Sequence, residues 1–220
     1  ENEGKISDFA VRLVEQVINC CPLGTPDIKV DLIYSIVHEL LICMVALTIY
    51  YEELDEMKAI LSYRYSLKSP YRDSNSFVTY SDLYHYSRYF EMINKKEGRQ
   101  LISLQADQMI SRTQYPYITR ETLSEADLVM HHIRPILSSS ENYWFPLLYT
   151  YFKGGIKLWA ELRSKSYLER FKKMFSIDQE KLFNIIANNP YKETMRHERS
   201  WESAPWISDF IDIDSIGKDA

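Results

Sequence analysis

The stretch LIYSIVHELLICMVALTIYY, Leu32 to Tyr51, decides how this chain folds. Its second half, from Leu40 onward, carries only Thr48 as a polar residue. A helix that is apolar all round must be enclosed by other helices or by lipid. The run is long enough to span a bilayer. However, His38 and Glu39 lie inside it, and Glu52, Glu53, Asp55 and Glu56 follow at once. Charges at bilayer depth are costly, so the run reads as the central helix of a water-soluble core, about Asp27 to Tyr50, with Asp27 as N-cap. Leu41, Val45 and Leu47 are expected to be buried at its centre.

The same helical period recurs on both sides. Ile6, Phe9, Ala10, Leu13, Val14, Val17 and Ile18 form one apolar stripe, capped by Ser7 or Asp8, and Cys21-Pro-Leu-Gly-Thr-Pro26 ends it. Leu54, Met57, Ile60 and Leu61 define a further amphipathic helix over 52–61. Residues 66–78 read as a loop. Helices are then predicted over 81–93, 101–110 and 119–137, the last capped by Thr119 and distorted near Pro135. An aromatic helix is predicted to open at Tyr143-Trp-Phe-Pro-Leu-Leu-Tyr149, with Gly154-Gly155 interrupting it before Ile156 to Leu162. Two short helices follow, 167–175 and 179–187, the second capped by Asp178. No strand is convincing, and no period repeats. The fold class is therefore all-α: an irregular multi-helix bundle, or a helical-repeat-like stack, of about nine helices. Residues 1–190 form one helical domain, and residues 191–220 form an extended acidic-aromatic tail that docks on it.

The composition is that of a globular protein, with 45% hydrophobic and 26% charged residues. Three cysteines, Cys20, Cys21 and Cys43, make a poor disulfide framework and point to reduced thiols in a cytoplasmic protein. The chain starts without Met, as expected for a segment of a longer protein. Net charge is −5, yet residues 151–200 hold 11 basic and 6 acidic side chains. Lys153, Lys157, Arg163, Lys165, Arg170, Lys172 and Lys173 alternate there with Tyr151, Phe152, Trp159, Tyr167 and Phe171. Such interleaving binds single-stranded nucleic acid when bases can stack on the rings. On helices, the rings fall instead on the buried stripe and the lysines on the wet one.

No catalytic set, metal site or cofactor site emerges. Asp127 and His131 share a helix face at i,i+4, the spacing of a carboxylate that orients a general base, but no nucleophile or oxyanion element completes it. His131, His132 and Arg134, with Lys172 and Lys173, are the candidate contacts for an anion or nucleic acid. His38 and Cys43 lack zinc-ligand spacing. Phosphate-binding loops and nucleophile elbows are absent, as is the Arg-x4–6-His signature of helical HEPN ribonucleases. The residues best suited to a protein partner are Trp201, Trp206 and Phe210 in the tail, and Tyr143 and Trp144 upstream.

Three stretches carry a resemblance: His38 to Leu47 running on through Tyr51-Glu-Glu-Leu-Asp-Glu-Met57, Ile118 to Leu128, and Tyr143 to Tyr151. Together they resemble helical C-terminal regions of large bacterial multidomain proteins of the antiphage-defence type. In those proteins an NADase-like, nuclease-like or ATPase effector precedes the helices. The resemblance spans about residues 30–188 and brings no catalytic residue with it. A well-specified core with no assembled chemistry, with which this resemblance agrees, points to a non-catalytic module that recognises a protein partner or controls an attached effector domain. The alternative is a nucleic-acid-binding or nuclease-associated domain built on the basic 151–173 stretch and the Asp127/His131 helix.

If the Leu32–Tyr51 run is central, Leu41→Ala should cost about 2–5 kcal/mol in urea denaturation. A change below about 0.5 kcal/mol, typical of exposed positions, would remove that helix from the core.

Overall fold

The computed structural model describes residues 5–20, 27–68, 76–113, 115–137, 144–191 and 204–219. The chain is an all-α multi-helix bundle with one small hairpin. Nine α-helices lie among the described residues: α1 (Ile6–Ile18), α2 (Asp27–Tyr50), α3 (Leu54–Ser62), α4 (Arg88–Lys96), α5 (Leu104–Ser111), α6 (Arg120–Leu137), α7 (Lys157–Ala160), α8 (Lys165–Phe175) and α9 (Gln179–Ala187). Strands β1 (Tyr65–Leu67) and β2 (Ser76–Val78) pair antiparallel.

Helix α2 packs most extensively on α6, then on α1, and α3 folds back against α1 and α2. Leu41 and Val45 have no solvent exposure, as expected, whereas Leu47 is only half-buried and packs at the edge of the core. By length and composition α2 would also suit a bilayer, and half of its most apolar window is buried within the protein. In α1, Ala10, Val14 and Ile18 face inward, but Phe9 is 61% exposed. Ser7 does not cap α1. Its backbone N–H and hydroxyl both donate to Glu56 of α3 (2.9 and 2.7 Å), which ties the two helices together.

The hairpin corrects the all-loop reading of 66–78. Three-residue strands fall below any useful period, and their support comes from α1. Ser66 N–H donates to Glu15, and Asn19 takes the Ser66 carbonyl and the Lys68 N–H. Those side chains occupy the free edge of β1, where another strand would otherwise pair.

Two expected helical stretches are irregular for a related reason. Residues 81–87 form a 3-10 turn (Tyr80–Leu83) and then extended chain, and α4 starts only at Arg88. There the His85 N–H donates to His38 Nδ1, while Gln105 takes both the His85 carbonyl and the Ser87 N–H. Likewise the aromatic helix predicted from Tyr143 does not form across Trp144–Leu148. The Trp144 carbonyl and the Leu148 N–H bond to His131 and Asp127 of α6, and the Pro146 and Leu148 carbonyls accept from the 3-10 turn Tyr149–Tyr151. A buried backbone needs partners but not helical ones, and tertiary side chains supply them here.

Three helices close with the same 6→1 and 5→2 hydrogen-bond pair. After α4, Gly98 takes the left-handed position at φ 63°, as is usual for this motif. After α2 and α8, that position falls to Glu52 (φ 59°) and Ser176 (φ 51°), which carry a Cβ into a region that disfavours it. Glu52 pairs with Lys157 of α7 on the surface. Ser176 is exposed and forms no such tie. Ser176→Gly is therefore expected to stabilise the protein by about 0.5–1 kcal/mol. A lower melting temperature for this variant would show that the left-handed closure carries no strain.

Candidate functional site

Polar side chains on α6 form a spine inside the core. Asp127, His131, His132 and Arg134 are at most 2% exposed, so none of them meets solvent as an anion contact would. The Asp127 carboxylate accepts the Trp144 indole N–H and the Leu148 backbone N–H (2.7 Å). One turn later His131 Nδ1–H donates to the Trp144 carbonyl at 2.9 Å. His132 accepts the Trp159 indole N–H on Nδ1 and donates from Nε2 to the Pro205 carbonyl, both at 2.9 Å. These bonds fix the tautomers, since a ring nitrogen facing an N–H must carry a lone pair.

The sequence reading thus found the right helix face but the wrong environment. Trp144 has no exposure and Trp206 is 4% exposed, so neither offers an anchor to a partner. Trp206 instead donates to the Ile185 carbonyl of α9 at 2.9 Å and stands edge-on to both His131 and His132. Phe210 is half-buried against His132 and Phe152. Residues 204–219 lie on the helical body, with Ile207 and Ile211 buried, and the backbone of 217–219 bonds with that of 162–165. The tail aspartates do not meet basic residues among the described positions: Asp209 and Asp212 cap their own turns. Lys172 pairs with Glu169, and Lys173 is exposed. Tyr143 and Trp201 lie outside the described residues.

Burial sets the charge states. Desolvation raises the Asp127 carboxyl to about 7, against the pull of the Leu148 and Trp144 hydrogen bonds. Desolvation lowers His131 to about 4, and it lowers His132 well below the ordinary range with help from neighbouring His131. His38 is lowered to about 3 by burial and by His85. Its ring stacks on Trp144 at 4.3 Å, and its Nε2 has no hydrogen-bond partner. The Cys43 thiol is pushed up to about 12, first by burial and then by Glu39, so it is a poor nucleophile.

The surface carries a second constellation that the sequence reading missed. Asp31 of α2 accepts hydrogen bonds from Ser87 Oγ, His85 Nε2 (2.9 Å), and the N–H groups of Arg88 and Tyr89 (3.1 and 3.2 Å). Burial pushes its carboxyl up, but these donors together hold it below the usual value. Ser, Asp and His are all present, yet the carboxylate sits in the middle and accepts a hydrogen bond from each of the other two. A nucleophilic relay needs the imidazole there, so Asp31 acts as a cross-chain cap for α4. The one trace in the sequence is an aspartate among the apolar residues of α2. No group of three or more His, Cys, Asp or Glu among the described residues is placed to hold a metal ion.

Beside this cap, Ile28, Val30, Tyr89 and Met92 help to line an open cleft of about 470 Å³. A second hollow of about 380 Å³ follows α2 between Leu32, Ile36 and Glu39 on one side and Phe90, Met109 and Arg112 on the other. Ile28, Leu32 and Ile36 make one stripe at four-residue spacing, and Ile28, Ile36 and Met92 are 46, 48 and 54% exposed. The paired Glu39 and Arg112 side chains stand at the far end.

No family model, curated protein or solved structure matches the chain.

The buried spine has a measurable consequence. His38, His131 and His132 bind protons more readily unfolded than folded, so their contribution to stability is lost as pH falls through about 6.5. Asp127 acts oppositely: its native state keeps a proton that the unfolded chain releases above about 4, and its contribution is lost as pH rises towards 7. Three histidines outweigh the two raised carboxyls, Asp127 and Glu125, so unfolding near pH 5.5 should take up about one to two protons. The slope of unfolding free energy against pH measures this number. A flat profile between about pH 5 and 6 would mean that the histidines are not sealed from water.

Proposed function

We propose that this chain is a non-catalytic helical module that binds a protein partner along the α2 stripe and so controls an effector attached to it in a larger bacterial defence or signalling protein. The observation that carries the reading is the apolar Ile28/Leu32/Ile36 stripe of α2, exposed at Ile28 and Ile36, which borders one hollow beside Met92 at Ile28 and the other at Leu32 and Ile36. Exposed apolar surface at regular helical spacing is the form taken by helix-in-groove recognition. The contrast with the chain's titratable groups adds support. Asp127, His131 and His132 are sealed and spend their hydrogen bonds on architecture, and Asp31 holds α4. The effector and its bacterial setting rest on the resemblance of residues 30–188.

The nucleic-acid alternative loses two of its five candidate rings, while Tyr151, Phe152 and Tyr167 are half-buried. Trp159 and Phe171, two rings of the basic stretch, are 0 and 1% exposed, and a buried ring cannot stack on a base.

The test pairs Ile36→Glu with Met92→Glu, both at exposed positions. The double variant should melt like the wild type yet fail to retain a protein that the wild type retains from an extract of the source cells. Binding is then rebuilt with the purified partner, where a loss of at least about tenfold is expected for a central apolar contact. Equal affinity of the two forms would remove the stripe from recognition. Salt-sensitive binding of a single-stranded oligonucleotide, lost in Lys172→Glu with Lys173→Glu, would favour the alternative instead.

A further inference from the structure

At the other end of α2 three tyrosines gather on the surface. Tyr50, Tyr51 and Tyr117 are 47, 51 and 47% exposed. Their ring centroids lie 5.1, 5.3 and 6.1 Å apart, and the ring planes cross at 87, 66 and 36°. Tyr50 and Tyr51 are consecutive at the end of a helix, and Tyr117 arrives from the turn before α6. Rings so inclined do not stack into a flat plate. They form a cluster on which one positive group can rest within about 6 Å of all three centroids, the range of cation–π attraction.

The electrostatics of this corner favour a cation. The C-terminal end of α2 presents the negative end of its dipole, and Glu52 and Glu53 follow directly. Glu53 is exposed and has no ion-pair partner among the described residues. The nearby cation Lys157 is already shared by Glu52 and Glu161. The chain makes the same kind of contact internally, with Arg120 lying 5.1 Å over the Tyr151 ring.

We propose that the Tyr50/Tyr51/Tyr117 cluster is a docking site for a basic peptide segment, with an Arg or Lys side chain seated on the rings and a neighbouring basic residue facing Glu53. This site is independent of the Ile28/Leu32/Ile36 stripe, and either stands without the other.

The probe is a short labelled peptide alternating Arg and Gly, titrated into the whole chain at near-physiological salt and followed by fluorescence anisotropy. Its Glu–Gly counterpart is the control. Tyr51→Ala with Tyr117→Ala should weaken binding about tenfold, the product of two exposed cation–π contacts. Tyr51→Phe with Tyr117→Phe should keep the affinity, because the ring face survives. As a second measurement on the wild type, tyrosine ring resonances at these three positions should shift on titration with the Arg peptide and not with the Glu peptide. Equal affinity of the Ala variant and the wild type would overturn the proposal. So would ring resonances that stay still while the peptide binds, since that result describes general attraction to an acidic protein.

Discussion

Trp144 is gripped at both ends by a single helix. Asp127 takes its indole N–H, and one turn along α6 His131 takes its carbonyl oxygen. Around this grip the second half of the protein is arranged. Leu148 is drawn to the same carboxylate, His38 of α2 stacks on the indole, and Tyr80 reaches past it to the Met130 carbonyl. One residue further, His132 repeats the device with Trp159 and Pro205. The constraint beneath all of this is that a polar group without water must find a partner. Here α6 provides partners for stretches that have no regular structure of their own.

That arrangement explains why some elements were legible in the sequence and others were not. Helix α2 was expected over 27–50 and is found there, and α9 was expected over 179–187 with Asp178 as its cap. For α9 the deciding signals, period and capping residue, lie within a few positions of the element. For α2 the signal was the unbroken apolar run, and Asp27, expected as its N-cap, is instead its first helical residue. The irregular segments 84–87 and 144–148 look helical by the same signals. Their backbone groups are satisfied by His38, Gln105, Asp127 and His131, between 13 and 47 residues away. No local window contains that information, because a propensity of a few tenths of a kcal/mol per residue yields to a buried hydrogen bond.

The candidate site was legible in the same partial way. Spacing placed Asp127 and His131 on one face, and that was right. Whether the face was wet or dry depended on what packed over it, and residues 144–148 and 204–211 supply that cover. The Asp31 cap joins α2 to a segment more than fifty residues later, so adjacency in the chain gave no hint of it. The exposed tyrosines were visible as composition only, and it took the turn before α6 to bring Tyr117 beside Tyr50 and Tyr51.

Pro205 lies 73 residues beyond the histidine that binds its carbonyl, and Trp206 covers the same pair of imidazoles. During synthesis, at about 5–20 residues per second, α6 therefore spends several seconds outside the ribosome before its cover exists. Until residues 204–211 arrive, His132 lacks its Pro205 acceptor and both imidazoles lack the Trp206 ring that covers them. The cover of this buried helix is thus made from residues that leave the ribosome well after the helix itself.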